Sequence, residues 1–226
     1  MKILAIECSA GPASVAIIEG RKTLAHSFKN LKLTHSETLL PMVEEALSDA
    51  RLSLKDIDAF AVAAGPGSFT GVRIGIALIK GLALPHKTPV AEVSTLSAMA
   101  ELFRSTNCLL CCCMDARCSQ VYNALFKIQD GEITRLTPDR ALLCEELKNE
   151  LLENYSGEKI IIMGDGANVF FPYAKDFATL APEEFIFQDA IGVAKAAKEF
   201  KSPEEINPIY LRLPQAEREL KLKRGN

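Results

Sequence analysis

Gly65-Pro66-Gly67-Ser68-Phe69-Thr70-Gly71-Val72-Arg73-Ile74-Gly75 follows directly on the apolar run Ala59 to Ala63, and this junction decides the fold. The apolar run reads as a buried strand, and the glycine-rich turn after it opens a helix over residues 69 to 84. Gly65 and Gly67 permit backbone angles closed to other residues, Pro66 stiffens the turn, and Ser68 or Thr70 is placed to cap the first helical amides. Amides left free there can hold an anion or a partner's carboxylate. The run matches neither common phosphate motif. A P-loop requires Lys and then Ser or Thr after its last glycine, where this chain has Val72 and Arg73. A dinucleotide fingerprint begun at Gly65 requires glycine where Thr70 stands.

Glycine also recurs inside the helix, and Gly71, Gly75 and Gly81 each destabilise it by roughly 1 kcal/mol against alanine, about 3 kcal/mol together. Close approach of another backbone along the Gly71/Gly75 edge would offset that loss. Ile74, Leu78 and Leu82 supply an apolar stripe beside the edge. The chain's own sheet and a second subunit satisfy this pattern equally well.

The 226 residues allow one large or two small domains, and a hydrophobic share of 48% is enough for a real core. With 26 basic against 29 acidic side chains the net charge is -3, so the molecule as a whole offers no nucleic-acid surface and any RNA contact is local or delegated to a partner. Met1 to Ile6 is too short for a signal-peptide core and Glu7 interrupts it, while Lys80 breaks the apolar run after Arg73. A cytoplasmic protein without a membrane segment is expected. The cysteines number seven, and Cys108, Cys111, Cys112 and Cys113 crowd one predicted strand, which argues for reduced thiols. Residues three apart on a strand face opposite sides of the sheet, so Cys108 and Cys111 read as small buried hydrophobes rather than a metal or redox pair.

Periodicity gives strands near 2 to 6, 14 to 18 and 23 to 28, then a helix from Thr34 through Leu39, Val43, Leu47 and Ala50. Thr34 and Glu37 have the spacing of a capping box, and Pro41 is expected to kink the helix. Strand 59 to 63 and the glycine helix follow. The second half repeats this order, with strands near 108 to 114, 120 to 128 and 132 to 136, helix 141 to 154, strand 159 to 163 and helix 188 to 200. Residues 166 to 187 read as an insertion. Glu7 and Asp115 each end a first strand, and Gly65-Pro66-Gly67 and Gly164-Asp165-Gly166 each follow a fourth. Two such units side by side form a cleft into which Glu7 and Asp115 would point, either to hold magnesium through water or simply as turn-forming acids. Asp115 and Arg117 can equally form a local charge pair on a hairpin.

Ile3-Leu4-Ala5-Ile6-Glu7-Cys8-Ser9, His35-Ser36-Glu37-Thr38-Leu39-Leu40-Pro41, the Gly65 to Gly75 run, Asp115-Ala116-Arg117 with Val121-Tyr122, Gly164-Asp165-Gly166-Ala167 and Pro208-Ile209-Tyr210-Leu211-Arg212 together resemble the TsaB (YeaZ) family over nearly the whole chain. The resemblance implies an α/β fold of duplicated ribonuclease-H-like lobes, of the acetate kinase, sugar kinase, Hsp70 and actin (ASKHA) type. The lobes would span residues 1–103 and 104–226, the second including the C-terminal tail. It also implies a noncatalytic scaffold that forms a heterodimer with TsaD and works with TsaE. Together they install threonylcarbamoyl on the adenosine beside the anticodon of tRNAs that read codons beginning with A. The family self-associates as a homodimer when alone, and tRNA is reached only through the complex. The isolated chain needs no cofactor on this reading, with ATP or ADP and Mg placed at the complex interface.

TsaD carries two metal-binding histidines four apart on one helical face after its glycine helix, where this chain has Thr95 and Met99. Neither side chain replaces imidazole, and the isolated His26, His35 and His86 do not rebuild such a site. The expected partner surface is formed by the helix from Thr34 and the glycine helix, through Leu39, Val43, Leu47, Gly71, Ile74, Gly75 and Leu78. Two departures from the family pattern bear on nucleotide binding: the first strand ends in Glu7 rather than Asp, and Cys118 replaces the second arginine of Asp-Ala-Arg-Arg. The alternative function is an ATP-dependent phosphotransferase of the same fold, with Glu7 and Asp115 near metal and base and the Gly164 to Gly166 turn near adenosine. A glycopeptidase, the older reading of TsaD relatives, lacks its metal-ligand pair here. Arg218, Lys221, Lys223 and Arg224 read as a solvated basic helix end, with contact to tRNA phosphates as the other reading.

Overall fold

The computed structural model describes residues 1–30 and 34–212. Strands β1 (Lys2–Glu7), β2 (Ala13–Glu19) and β3 (Lys22–Lys29) form an antiparallel meander, followed by helix α1 (His35–Ala50), strand β4 (Ala59–Gly65), helix α2 (Phe69–Ala83), strand β5 (Val90–Ser94) and helix α3 (Thr95–Leu102). The sheet runs in the order β5-β4-β1-β2-β3, with β4 parallel to both β1 and β5. All seven residues of β4 are buried, as a central parallel strand covered on both faces requires.

The second half repeats the plan. Strands β6 (Cys108–Asp115), β7 (Gln120–Gln129) and β8 (Glu132–Arg135) form the meander, with β9 (Arg140–Leu143) pairing the other end of β7. Helix α4 (Cys144–Asn154), strand β10 (Ile160–Met163), helix α5 (Ala167–Ala174) and strand β11 (Ala178–Leu180) complete it. The order β11-β10-β6-β7-β8 reproduces that of the first sheet, and β10 is parallel to β6 and β11. Two sheets of this order and sense are the duplicated ribonuclease-H-like lobes of the ASKHA fold. Helix α6 (Ala190–Ala196) and the short strand β12 (Phe200–Lys201) then return to the first sheet, where β12 pairs with β5.

The lobes exchange helices. Leu96, Met99 and Ala100 of α3 pack with Cys108, Leu110 and Cys112 of the second sheet, while Ala190, Val193 and Ala194 of α6 pack with Ile3, Ala5 and Ala16 of the first. The two helices meet at Gly192, where a Cβ would collide with the Ala98 carbonyl oxygen.

Several local expectations need correction. The start of α1 falls where expected, but Thr34 makes no side-chain cap; its carbonyl oxygen accepts from the Glu37 amide (3.0 Å) and from the Thr38 hydroxyl (3.3 Å). Helix α1 continues through Pro41 as one element. The expected helix 141 to 154 begins only at Cys144, because Arg140–Leu143 is held as strand by β7, and the Glu146 carboxylate accepts the Leu143 amide at 2.9 Å. The segment read as an insertion supplies α5 and β11, the counterparts of α2 and β5. The expected helix 188 to 200 is only α6, which corresponds to α3 rather than to the glycine helix. Arg218, Lys221, Lys223 and Arg224 lie outside the described residues. Among the described residues no helix is long and apolar enough to cross a membrane.

Candidate functional site

The C-terminal ends of β1, β4, β6 and β10 open onto a cleft of about 510 Å³ between the lobes. One wall is Ser9 and the turn from Pro66 to Thr70, and the other is Asp115, Arg117, Tyr122 and Asp165. The first wall is built by glycine. Gly65 has φ +116°, and a Cβ there would stand 2.5 Å from the Ile209 carbonyl oxygen. The Ser68 amide donates to the Ser9 carbonyl at 2.6 Å, and the Ser68 hydroxyl caps α2 by accepting the Gly71 amide at 3.3 Å. Ser68, and not Thr70, is therefore the cap, and one of the amides expected to be free for an anion is taken. Gly164 and Gly166 play the matching structural part in the second lobe, pressing the turn after β10 against the backbone of Cys113 and Met114.

The acids behave differently from one another. Glu7 is only 2% exposed and lies behind the cleft wall. Its Oε1 accepts the Ser9 amide at 2.5 Å, while its Oε2 has no partner. Burial pushes its pKa from 4.5 up to about 7, opposed by the Ser9 hydrogen bonds and reinforced by the carboxylates of Asp189 and Asp165. Asp115 does reach the cleft, but it braces its own turn: Oδ1 accepts the Arg117 amide at 2.7 Å and Oδ2 lies 3.3 Å from the Arg117 guanidinium. The local charge pair expected as one alternative is present. Asp165, a cleft residue that sequence reasoning did not single out, accepts from Gln188 at 2.7 Å, and burial is the main cause that raises its pKa. Among the described residues no three His, Cys, Asp or Glu side chains stand close enough to hold a metal ion.

The helical face is partly turned inward. Leu39 and Val43 belong to the first core, and Gly71 and Gly75 are buried against β1. A Cβ on Gly71 would collide with the Cys8 carbonyl oxygen, and one on Gly75 would stand 2.8 Å from the Cys8 sulfur and 3.4 Å from Val62. The glycine edge is consumed by the chain's own sheet, so these four residues cannot supply a contact surface. Leu47, Ile74 and Leu78 remain half-buried, with Leu82 beside them and Leu40 44% exposed. Leu40 and Leu47 are two turns apart on α1, and Ile74, Leu78 and Leu82 follow at four-residue steps on α2, so each helix shows one apolar stripe.

The remaining candidates are structural. His35 Nε2 lies 2.9 Å from the Ala10 carbonyl oxygen, His26 lies 2.7 Å from Asp189, and His86 sits in the short turn after α2. Thr95 and Met99 are fully buried, and the Met99 methyl lies against the Gly164 turn. On β6, Cys108 and Cys112 face one core and Cys111 and Cys113 the other, as strand geometry requires. Sequence reasoning missed the stack of Tyr210 on Phe69, centroids 4.5 Å apart, with the Arg73 guanidinium 3.8 Å above the Phe69 ring. No spacing rule reports a contact across so long a stretch of chain.

Comparison with known proteins fits this architecture. The family model of TsaD, tRNA N6-adenosine threonylcarbamoyltransferase, matches residues 22–217. The tRNA threonylcarbamoyladenosine biosynthesis protein TsaB of Escherichia coli is 32% identical over 231 aligned positions, covering 94% of this chain and 95% of that protein. TsaB of Bacillus subtilis is 29% identical with 96% of each covered. The solved structure of YeaZ from Pseudomonas aeruginosa superposes with a TM-score of 0.79 at 26% identity, over 93% of this chain and 99% of that one. By whole-length kinship and by the doubled lobe alike, the chain belongs to the TsaB (YeaZ) family, whose Escherichia coli and Bacillus subtilis members are named tRNA threonylcarbamoyladenosine biosynthesis proteins.

Proposed function

We propose that this chain is a noncatalytic subunit of tRNA threonylcarbamoyladenosine biosynthesis that pairs with TsaD and acts with TsaE. The observation that carries the reading is the double apolar stripe of Leu40 and Leu47 on α1 with Ile74, Leu78 and Leu82 on α2. A family model named for TsaD matches most of the chain, so TsaD is expected to present a like face, and two such faces meet as four helices with an apolar centre and polar rim. The same face supports a homodimer when the partner is absent. Thr95 and Met99, at the positions where TsaD carries metal-binding histidines, are core side chains here and leave the chemistry to the partner. A nucleotide, with magnesium, would sit at the shared interface, and tRNA would be held by the assembly. The seven unpaired cysteines suit a reducing cytoplasm.

The test is reconstitution. TsaD, TsaE, tRNA, ATP, bicarbonate, threonine and the remaining pathway enzyme are combined with and without this chain, and modified adenosine is quantified. Modification is expected only with the chain present, and Leu40→Asp, at the exposed end of the stripe, is expected to abolish both copurification with TsaD and modification while the free subunit keeps its melting temperature. Equal modification in its absence would reject the reading, and turnover of ATP by the chain alone would reject it in favour of a phosphotransferase.

A further inference from the structure

The segment after the short helical turn Pro203–Glu205 does not simply leave the molecule. Ile206 is fully buried in the first core, and the Asn207 amide donates to Glu92 at 2.5 Å, which is itself paired with Lys201 at 2.6 Å. The Ile209 amide then donates to the Ala64 carbonyl at 2.7 Å, extending along the end of β4 where Gly65 makes room for it. Tyr210 lies flat on Phe69, and its hydroxyl accepts from Arg73 Nε at 2.7 Å. Two residues on, the guanidinium of Arg212 donates to the Ala116 carbonyl in the turn between β6 and β7, on the opposite wall. Ile209, Tyr210, Leu211 and Arg212 all line the cleft.

From this path we infer that residues 206–212 are a strap that sets the opening of the interlobe cleft, riveted to the first lobe and latched to the second through Arg212. The attachment is asymmetric. On the first lobe it consists of a buried side chain, two hydrogen bonds donated by backbone amides and a cluster of Arg73, Phe69 and Tyr210. On the second it is one guanidinium on one carbonyl. The lobes are joined elsewhere by α3 and α6, each packed on the sheet of the other lobe, so the strap adds a tie at the cleft itself. A charge-assisted hydrogen bond of this kind shifts a two-state equilibrium by roughly tenfold or more, so losing Arg212 should release the second lobe while leaving the strap seated on the first.

Pulsed electron spin resonance across the cleft tests this in the full-length protein. Cys118 is exposed on the second lobe, and Gly11, on the first, is exposed with open space around it, so spin labels at Cys118 and at a Gly11→Cys site report the opening. The parent is expected to give one narrow distance distribution. Arg212→Ala should broaden it and move it to longer distance while the protein stays folded, its melting temperature lowered by no more than a few degrees, and Arg212→Lys, which keeps a donor, should restore most of the narrow component. Tyr210→Ala should open the cleft further. If Tyr210→Ala proves too unstable to label, the Arg212 pair decides alone. An unaltered distribution in Arg212→Ala would overturn the assignment, and because the readout needs neither TsaD nor tRNA it stands apart from the proposed pairing.

Discussion

Gly75 of α2 and Cys8 at the end of β1 lie so close that a Cβ on the glycine would stand 2.8 Å from the sulfur, and the Cys8 thiol in turn donates to the Gly71 carbonyl at 3.2 Å. The helix is thus seated on the first strand by two glycines and one thiol. The stability lost by placing glycine in a helix is offset here by backbone approach within the chain. Gly75→Leu is therefore expected to overpack this seat and destabilise the isolated protein by roughly 1 to 3 kcal/mol or more. A urea titration of the free subunit measures this; an unchanged midpoint would show that α2 is not held against β1 in this way.

Gly81, on the same helix, makes the opposite prediction. It is exposed, has ordinary helical geometry, and nothing lies within 4 Å of where its Cβ would be. Gly81→Ala should stabilise the free subunit by about 1 kcal/mol, which raises the melting temperature of a chain this size by roughly 2 to 4 °C. Calorimetry on the two proteins checks it.

The contrast between these glycines shows what the sequence could carry. Strand and helix periods placed β1 to β4, α1, α2, β6 to β8 and β10, because each buries a continuous or alternating apolar set. The repeat of those elements pointed to two lobes. The period could not place β5, α3, α5 or β11 and overran the end of α6, because these alanine-rich or short runs are decided by packing across lobes, as with Ala98 against Gly192. Nor could it say which side of a helix faces home. Leu39, Val43, Gly71 and Gly75 share helices with Leu47, Ile74 and Leu78, and only the position of Cys8 and Val62 separates the buried set from the half-exposed one. The glycines of the Gly164 to Gly166 turn marked the place of Asp165 but not its reach into the cleft, and Tyr210 entered through strap contacts that have no local signature.

The thiols give a test of the second core. Of the seven cysteines only Cys118 is exposed, in a turn where Arg117, Cys118 and Ser119 all have positive φ. Burial raises the pKa of Cys112, Cys113 and Cys144, so the reactive thiolate is suppressed as well as hidden. A thiol-reactive chromophore should titrate about one group per native chain and all seven after denaturation. Cys118→Ser should remove the fast native phase entirely, and fast reaction of a second group would contradict the burial of the other six thiols.

Glu7 makes stability depend on pH in a defined direction. In the unfolded chain its carboxyl ionises near 4.5, whereas burial in the folded protein moves this to about 7. Below pH 4.5 both states hold the proton and the group opposes nothing. Between pH 4.5 and 7 the unfolded state can release a proton that the folded state retains, so folding stability falls as pH rises, by a total on the order of 3 kcal/mol. Asp165, raised by burial as well, adds a slope of the same sign. The informative quantity is therefore the difference between the parent and Glu7→Gln, which keeps a carbonyl oxygen to accept the Ser9 amide but carries no charge. Urea midpoints should converge below about pH 4.5 and separate towards pH 8, with the variant more stable at the alkaline end. Parallel curves across that range would mean that Glu7 ionises freely in the folded protein, contrary to its enclosure behind Ser9 with one oxygen unpartnered.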